Sequence, residues 1–233
     1  MSLPWSNGKE FYDLHSKAMF TGQKFYQVGL VGTAEENVAH ICRVADIRRG
    51  DYVIDLGCGS GFMVNHIASE TFAVGISDSE SCIVAAQMNY PACHFSVQDM
   101  ASLDAANVDV FLALESIGYA DLKKTLKAVS AALRPGGRFF IKDMVPFANL
   151  TPAHLENLAY IRWFWKYACT PQDETIRMAR RYGLILKQFT AYDSANVANF
   201  VGTMPLLQVE QKIPHPELHC IRPAEFLFEK DAP

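Results

Sequence analysis

The stretch that decides the fold is Val53-Ile54-Asp55-Leu56-Gly57-Cys58-Gly59-Ser60-Gly61. Its first half is a short apolar run of the kind that forms a buried strand. Its second half is a glycine loop, and the apolar spacing that follows over 61–69 predicts a helix. Strand, glycine loop and helix in that order are the opening unit of an open α/β sheet, in which a ligand lies beyond the carboxyl ends of the strands.

Working outward, strand and helix patterns alternate. Strands are expected at 52–56, 72–76, 93–97, 108–114 and 138–142, with helices near 34–48, 79–89 and 121–133. Arg134-Pro135-Gly136-Gly137 reads as a stop and turn before the fifth strand. An aromatic-rich helix over 151–168 and a second helix over 172–182 follow, and 184–191 and 224–229 read as the last strands. The expected fold is therefore α/β: a Rossmann-like, doubly wound, seven-stranded sheet, mostly parallel, with an antiparallel hairpin strand at its edge. Residues 1–33 are expected to form an N-terminal arm capping the active site. Residues 34–233 are expected to form the main domain, with insertions near 145–170 and 193–222.

Glycine loops bind several ligands. Gly57, Gly59 and Gly61 are spaced Gly-x-Gly-x-Gly, not the Gly-x-Gly-x-x-Gly of dinucleotide sites. A nicotinamide or flavin enzyme and a ligand-free structural turn both remain open on spacing alone. Asp55 narrows the choice. A carboxylate at the end of the first strand repels a pyrophosphate but attracts an ammonium group, such as that of S-adenosylmethionine (SAM).

On these residues the chain resembles the class I SAM-dependent methyltransferases, over about residues 35 to 145. Val53–Gly61 resembles their first motif, and Val97-Gln98-Asp99-Met100 their adenine-binding motif. The resemblance implies that Asp99 accepts from the adenine amine, with Gln98, Met100 and Leu114 nearby and Cys58 in the loop. The ribose position departs from the commonest pattern. Ser77 stands where an acidic residue is usual, and Asp78 follows, so either could hold the ribose hydroxyls. A subgroup of small-molecule methyltransferases carries Ser or Thr there with a glutamine further on, where this chain has Cys82.

For the acceptor, Leu114-Glu115-Ser116-Ile117-Gly118-Tyr119-Ala120-Asp121-Leu122 resembles the matching segment of isoprenyl (geranyl-type) diphosphate C-methyltransferases. Sterol and cyclopropane-fatty-acid methyltransferases have related segments. That resemblance implies methylation of an alkene carbon through a carbocation, with Glu115 as base and Tyr26 and Tyr119 beside the cation. Phe25, Tyr160, Trp163, Phe164 and Trp165 are candidate pocket residues, and Arg162 and Lys166 could face a diphosphate. Tyr160, Phe164 and Tyr167 also have the spacing of an ordinary helix core face, and Arg162 and Lys166 that of a solvated one. Mg2+ is expected only if the acceptor is a diphosphate. An O- or N-methyltransferase of another metabolite, or a SAM-binding partner protein without methyl transfer, are the alternatives.

Bulk composition limits the partners. Of 233 residues, 50% are hydrophobic and 20% charged, with a net charge of −4, so no basic footprint for nucleic acid is present. Arg177–Arg181 has helical spacing and reads as a solvated face. No Asn/Asp-Pro-Pro-Tyr run follows the fourth strand, which argues against a nucleobase amine. No stretch approaches the ~20 apolar residues of a membrane span, and the first residues lack a signal-peptide pattern. Cys42, Cys58, Cys82, Cys93, Cys169 and Cys220 are scattered and read as reduced thiols. A cytoplasmic protein acting on a small molecule is expected, and a homodimer is compatible with it.

Overall fold

The computed structural model describes residues 6–7, 9–10, 12–13, 33–164, 166–192 and 220–231. Among these the elements run α1 (Ala34–Val44), β1 (Tyr52–Leu56), α2 (Phe62–Ile67), β2 (Phe72–Ser77), α3 (Glu80–Asn89), β3 (His94–Val97), β4 (Val108–Leu114), a 3-10 turn (Ile117–Tyr119), α4 (Leu122–Ala132), β5 (Leu133–Pro146), α5 (Pro152–Phe164), α6 (Gln172–Arg181), β6 (Leu184–Ala191) and β7 (Ile221–Lys230). Phe25, Tyr26 and Trp165, the side chain of Phe164 and most of 1–33 and 193–222 lie outside the described residues.

The seven strands form one sheet in the order β3-β2-β1-β4-β5-β7-β6. The reversal of order between β1 and β4 is the switch point at which open α/β sheets bind ligands. All neighbours from β3 to β5 are parallel, and β7 runs antiparallel to both β5 and β6. The last hairpin is thus at the edge as expected, with its second strand inserted between β5 and β6.

Central strands carry apolar residues on both faces, as strands covered by helices on both sides must. Ile54, Phe111, Phe139 and Phe226 pack on one face, and Val53, Leu112 and Phe140 on the other with α1 and α2. α1 starts at a capping box, with Thr33 accepting from the Glu36 amide and Glu36 accepting from the Thr33 amide.

Three sequence expectations need correction. Residues 134–137 are not a turn between elements, since β5 starts at Leu133, directly after α4. Leu133 pairs with Val108 and Arg138 with Val110, so the Pro-Gly-Gly segment bulges out of a continuing ladder. The helix expected over 61–69 spans only 62–67. The aromatic helix ends by Phe164, and Lys166 has a positive φ of 55°. Arg162 and Lys166 therefore do not sit one turn apart on a single helix.

Candidate active site

The candidate site lies at the carboxyl ends of β1 to β5. Asp55, on β1 between Gly75 and Leu112, is 2% exposed. Its Oδ1 has no hydrogen-bond partner among the described residues. Burial pushes its carboxyl up to about 7. An orphaned buried carboxylate is costly unless a donor arrives to meet it, and an ammonium group is such a donor.

The glycine loop spends its amides inside the fold. Gly57 and Cys58 both donate to the Ile76 carbonyl, at 2.8 and 3.0 Å, and Gly61 donates to Cys58 at 2.9 Å. The amides that would cradle a pyrophosphate are therefore engaged at these positions, in keeping with the argument against a dinucleotide. What the loop offers is close approach. Gly57 has a φ of 77°, and a Cβ there would meet Ser116 Cβ at 2.5 Å and Met100 Cε at 3.7 Å. Met100, Gly57 and Ser116 thus meet at the switch point, and Ser116 Oγ donates to the Leu56 carbonyl. Cys58 is buried, and its thiol is pushed well up by burial, with Asp55 and Cys82 adding to it. It is a packing group, not a nucleophile.

On the far side of the loop, the Ser77 hydroxyl accepts from the Ser79 amide at 3.2 Å and is 8% exposed. Asp78 is exposed. Desolvation in the cleft and repulsion by Asp99 raise its carboxyl, while Lys9 opposes this. The amide of Gln98 donates to the Ser77 carbonyl at 2.8 Å, which ties the two strand ends together. Asp99 is exposed, and one of its oxygens accepts from the Ala101 amide at 2.8 Å. It is a turn cap, and it also stands on the rim beside Asp78.

A second group of candidate residues stands at the ends of β4 and β5. Leu114 is buried, and Glu115 follows it with a φ of 58°. Its amide donates to the Lys142 carbonyl at 2.7 Å, and its Oε1 lies 3.6 Å from Lys142 Nζ. Tyr119 is flanked by two rings, Tyr12 at 5.0 Å and Tyr167 at 4.8 Å, both edge to face. The Tyr167 ring lies on Gly118, where a Cβ would meet it at 2.6 Å. Burial raises the Tyr119 phenol, while a hydrogen bond with Tyr12 lowers it. Asp13, next to Tyr12, accepts from Ser79 Oγ at 2.6 Å. Tyr12 and Asp13 thus reach the segments that follow β4 and β2 respectively.

Sequence reasoning missed Tyr12 and Asp143. Asp143 is 6% exposed, with Oδ2 orphaned, and burial holds its carboxyl far above the usual range. The only sequence signal for it was its place near the end of the fifth strand. Tyr167 was read as part of a helix stripe, whereas it sits beyond the helix, at 8% exposure. Tyr160 is half-buried against Trp163 at 5.8 Å, and Arg162 and Trp163 are exposed on α5.

A family model described as "Methyltransferase domain" matches residues 47–190. The chain belongs to this methyltransferase domain family. The match runs from before β1 to the end of β6, and so contains the glycine loop, the rim carboxylates and Glu115. An O-methyltransferase of Pyrenophora dematioidea is 33% identical over 107 residues, which are 41% of this chain and 40% of that protein. The chain thus spans about two fifths of the length of the curated relatives it matches. Among solved structures, geranyl diphosphate C-methyltransferase from Streptomyces coelicolor superposes with a TM-score of 0.72 at 14% identity, over 97% of this chain and 99% of that one. The cyclase SpnF superposes with a TM-score of 0.73 at 14% identity, over the full length of both chains. At this identity both likenesses concern the fold alone. No helix among the described residues is long and apolar enough to cross a membrane.

Proposed function

We propose that the protein is a SAM-dependent methyltransferase that acts on a small molecule. The observation that carries the reading is Asp55, a buried carboxylate lacking a donor at the end of β1, beside a loop that admits no side chain at Gly57. In this reading Asp55 takes the SAM ammonium group, and Cys58, Gly59 and Gly61 shape the loop around the methionine portion. Asp78 takes the ribose hydroxyls, because the Ser77 hydroxyl is turned onto its own loop. Asp99 accepts from the adenine amine through its remaining oxygen, and Met100 and Leu114 pack nearby.

The finer reading is methylation of an alkene carbon in an isoprenyl diphosphate-type acceptor. SAM supplies an electrophilic methyl group carried on a sulfonium. An alkene that accepts it becomes a carbocation and must then lose a proton. Glu115 is placed at the end of β4 to take that proton. The rings of Tyr12, Tyr119 and Tyr167 form a cluster beside it. A desolvated ring face stabilises a cation by on the order of 1–2 kcal/mol. The geranyl diphosphate C-methyltransferase neighbour supports this choice by fold, and Mg2+ would enter only with a diphosphate. The second reading is O-methylation, favoured by the name of the Pyrenophora relative.

The test is transfer of labelled methyl from SAM to geranyl diphosphate with Mg2+, to catechols and to amines, in parallel with calorimetry of SAM binding. Label in the prenyl product is expected, and Glu115→Gln should lower kcat at least ~100-fold while SAM still binds. Label in the catechol alone overturns the carbon reading. SAM binding with no label in any acceptor overturns methyl transfer to these classes.

A further inference from the structure

Residues 9–10 and 12–13, ahead of α1, are helical. Successive side chains on a helix diverge by about 100°, so Tyr12 and Asp13 reach different ways. Tyr12 reaches the turn after β4, where its ring meets Tyr119 edge to face at 5.0 Å. Asp13 reaches the segment after β2. Its Oδ1 accepts from the Ser79 hydroxyl at 2.6 Å, and its carbonyl accepts from the Ser81 hydroxyl at 3.2 Å. Lys9, one helical turn back, pairs with the other oxygen of the same carboxylate.

The sheet order fixes what lies between these two contacts. β1 is flanked by β2 on one side and by β4 on the other. Neighbouring strands lie about 4.8 Å apart, so the ends of β2 and β4 are about 10 Å apart. Adjacent Cα atoms are about 3.8 Å apart, and the Tyr12 ring and the Asp13 carboxyl extend that reach at either end. The dipeptide therefore spans the gap. The carboxyl end of β1 lies in the middle of it, and that end carries Asp55 and the glycine loop.

We infer that Tyr12 and Asp13 form a strap across the cofactor site, with Asp13 as its latch. SAM held at Asp55 lies under the strap, and it enters and leaves only while the latch on Ser79 is open. The inference rests on the reading of Asp55 and the glycine loop as the SAM site. Ser79 is a firm anchor. It is 1% exposed at the head of α3, and its hydroxyl, which donates to Asp13, also accepts from the Cys82 amide at 3.3 Å. Its own amide donates to the Ser77 hydroxyl at 3.2 Å. The latch is thus tied to the corner that carries Ser77 and Asp78, the two candidates for the ribose hydroxyls. A hydroxyl that donates to a carboxylate at 2.6 Å makes a charge-assisted bond, stronger than a neutral one.

A strap that gates exchange slows entry and exit alike. Asp13→Ala should therefore raise both the association rate and the dissociation rate of SAM, each by about tenfold, as loss of one charge-assisted hydrogen bond implies. Asp13→Asn keeps an acceptor oxygen without the charge and should raise both rates by less. Tyr12→Leu loosens the other end and should move both rates in the same direction. A contact that only stabilised bound SAM would raise dissociation and leave association as it is.

The experiment loads the full chain with SAM labelled with tritium in its methyl group. It is then chased with excess unlabelled SAM, and the retained label is followed by rapid filtration. Association is followed the same way after rapid mixing, so neither readout needs an acceptor. Both rates raised in Asp13→Ala and in Tyr12→Leu support the strap. Dissociation raised alone, or neither rate moved, overturns it. Where the alanine variant does not fold, Asp13→Asn decides by the same criterion. A wild type that binds no SAM overturns the SAM reading and the strap with it, whereas SAM binding with rates unmoved in the variants overturns the strap alone.

Discussion

Asp55 combines burial, an orphaned oxygen and a carboxyl raised to about 7. In the unfolded chain it ionises near 3.8, so between about pH 4 and 7 the folded state holds a proton that the unfolded state has lost. Stability of the ligand-free protein should therefore fall across that window and level off above it, by on the order of 4 kcal/mol. Asp55→Asn should flatten this dependence in denaturant titrations, and a dependence identical to wild type would refute the assignment. SAM affinity should show the opposite trend. Below pH ~7 the ammonium must displace a proton, so calorimetry should find affinity falling as pH drops, by about tenfold per unit. Gly57→Ala tests the other half of the site. Its Cβ would meet Ser116 at 2.5 Å, at a φ of 77°, so SAM binding should be lost and the melting temperature lowered.

Among the elements, β5 does the most to assemble the site, because it pairs with both β4 and β7 and carries Lys142 and Asp143. Its position depends on Arg138, which is 5% exposed and binds Asp51 at 2.7 Å and the Asp46 carbonyl. Arg138→Met removes one partner of a buried pair and leaves Asp51 with the Arg48 amide but no buried counter-charge, which should cost about 3–5 kcal/mol of unfolding free energy. Thr33→Ala removes only the α1 cap and should cost about 1 kcal/mol. Chemical denaturation of both variants distinguishes these magnitudes, and equal losses would remove the basis for treating Arg138 as the anchor. This pair was not legible from the sequence. Arg138 read only as the first residue of a strand, and Asp51 lay outside every expected element. Nothing along the chain marks two residues this far apart as partners.

At the scale of the whole molecule, a ligand that binds only the folded state stabilises it by mass action. SAM at a hundred times its Kd should add about 2.7 kcal/mol. For a chain of this length that is a rise of roughly 5–10 °C in melting temperature. NAD+ at the same concentration should leave the temperature unchanged, because the amides of Gly57, Cys58 and Gly61 are already engaged. A NAD+ shift equal to that of SAM would reopen the dinucleotide reading.

Periodicity and punctuation along the chain were enough for the sheet, its switch point and the positions of the proposed cofactor residues. Strand alternation and glycine turns are local signals. Asp55, Gly57 and Asp99 each sit at a set distance in sequence from a strand end. On the proposed acceptor side Glu115 and Tyr119 were legible for the same reason, as residues just past the fourth strand. Tyr12, Tyr167 and Asp143 come from three separate segments, and only ring contacts and burial in the folded chain single them out. Folding also decided where β7 inserts, where the aromatic helix stops, and that Lys142 stands against Glu115. These are contacts between residues distant in sequence, and such contacts leave no period to read.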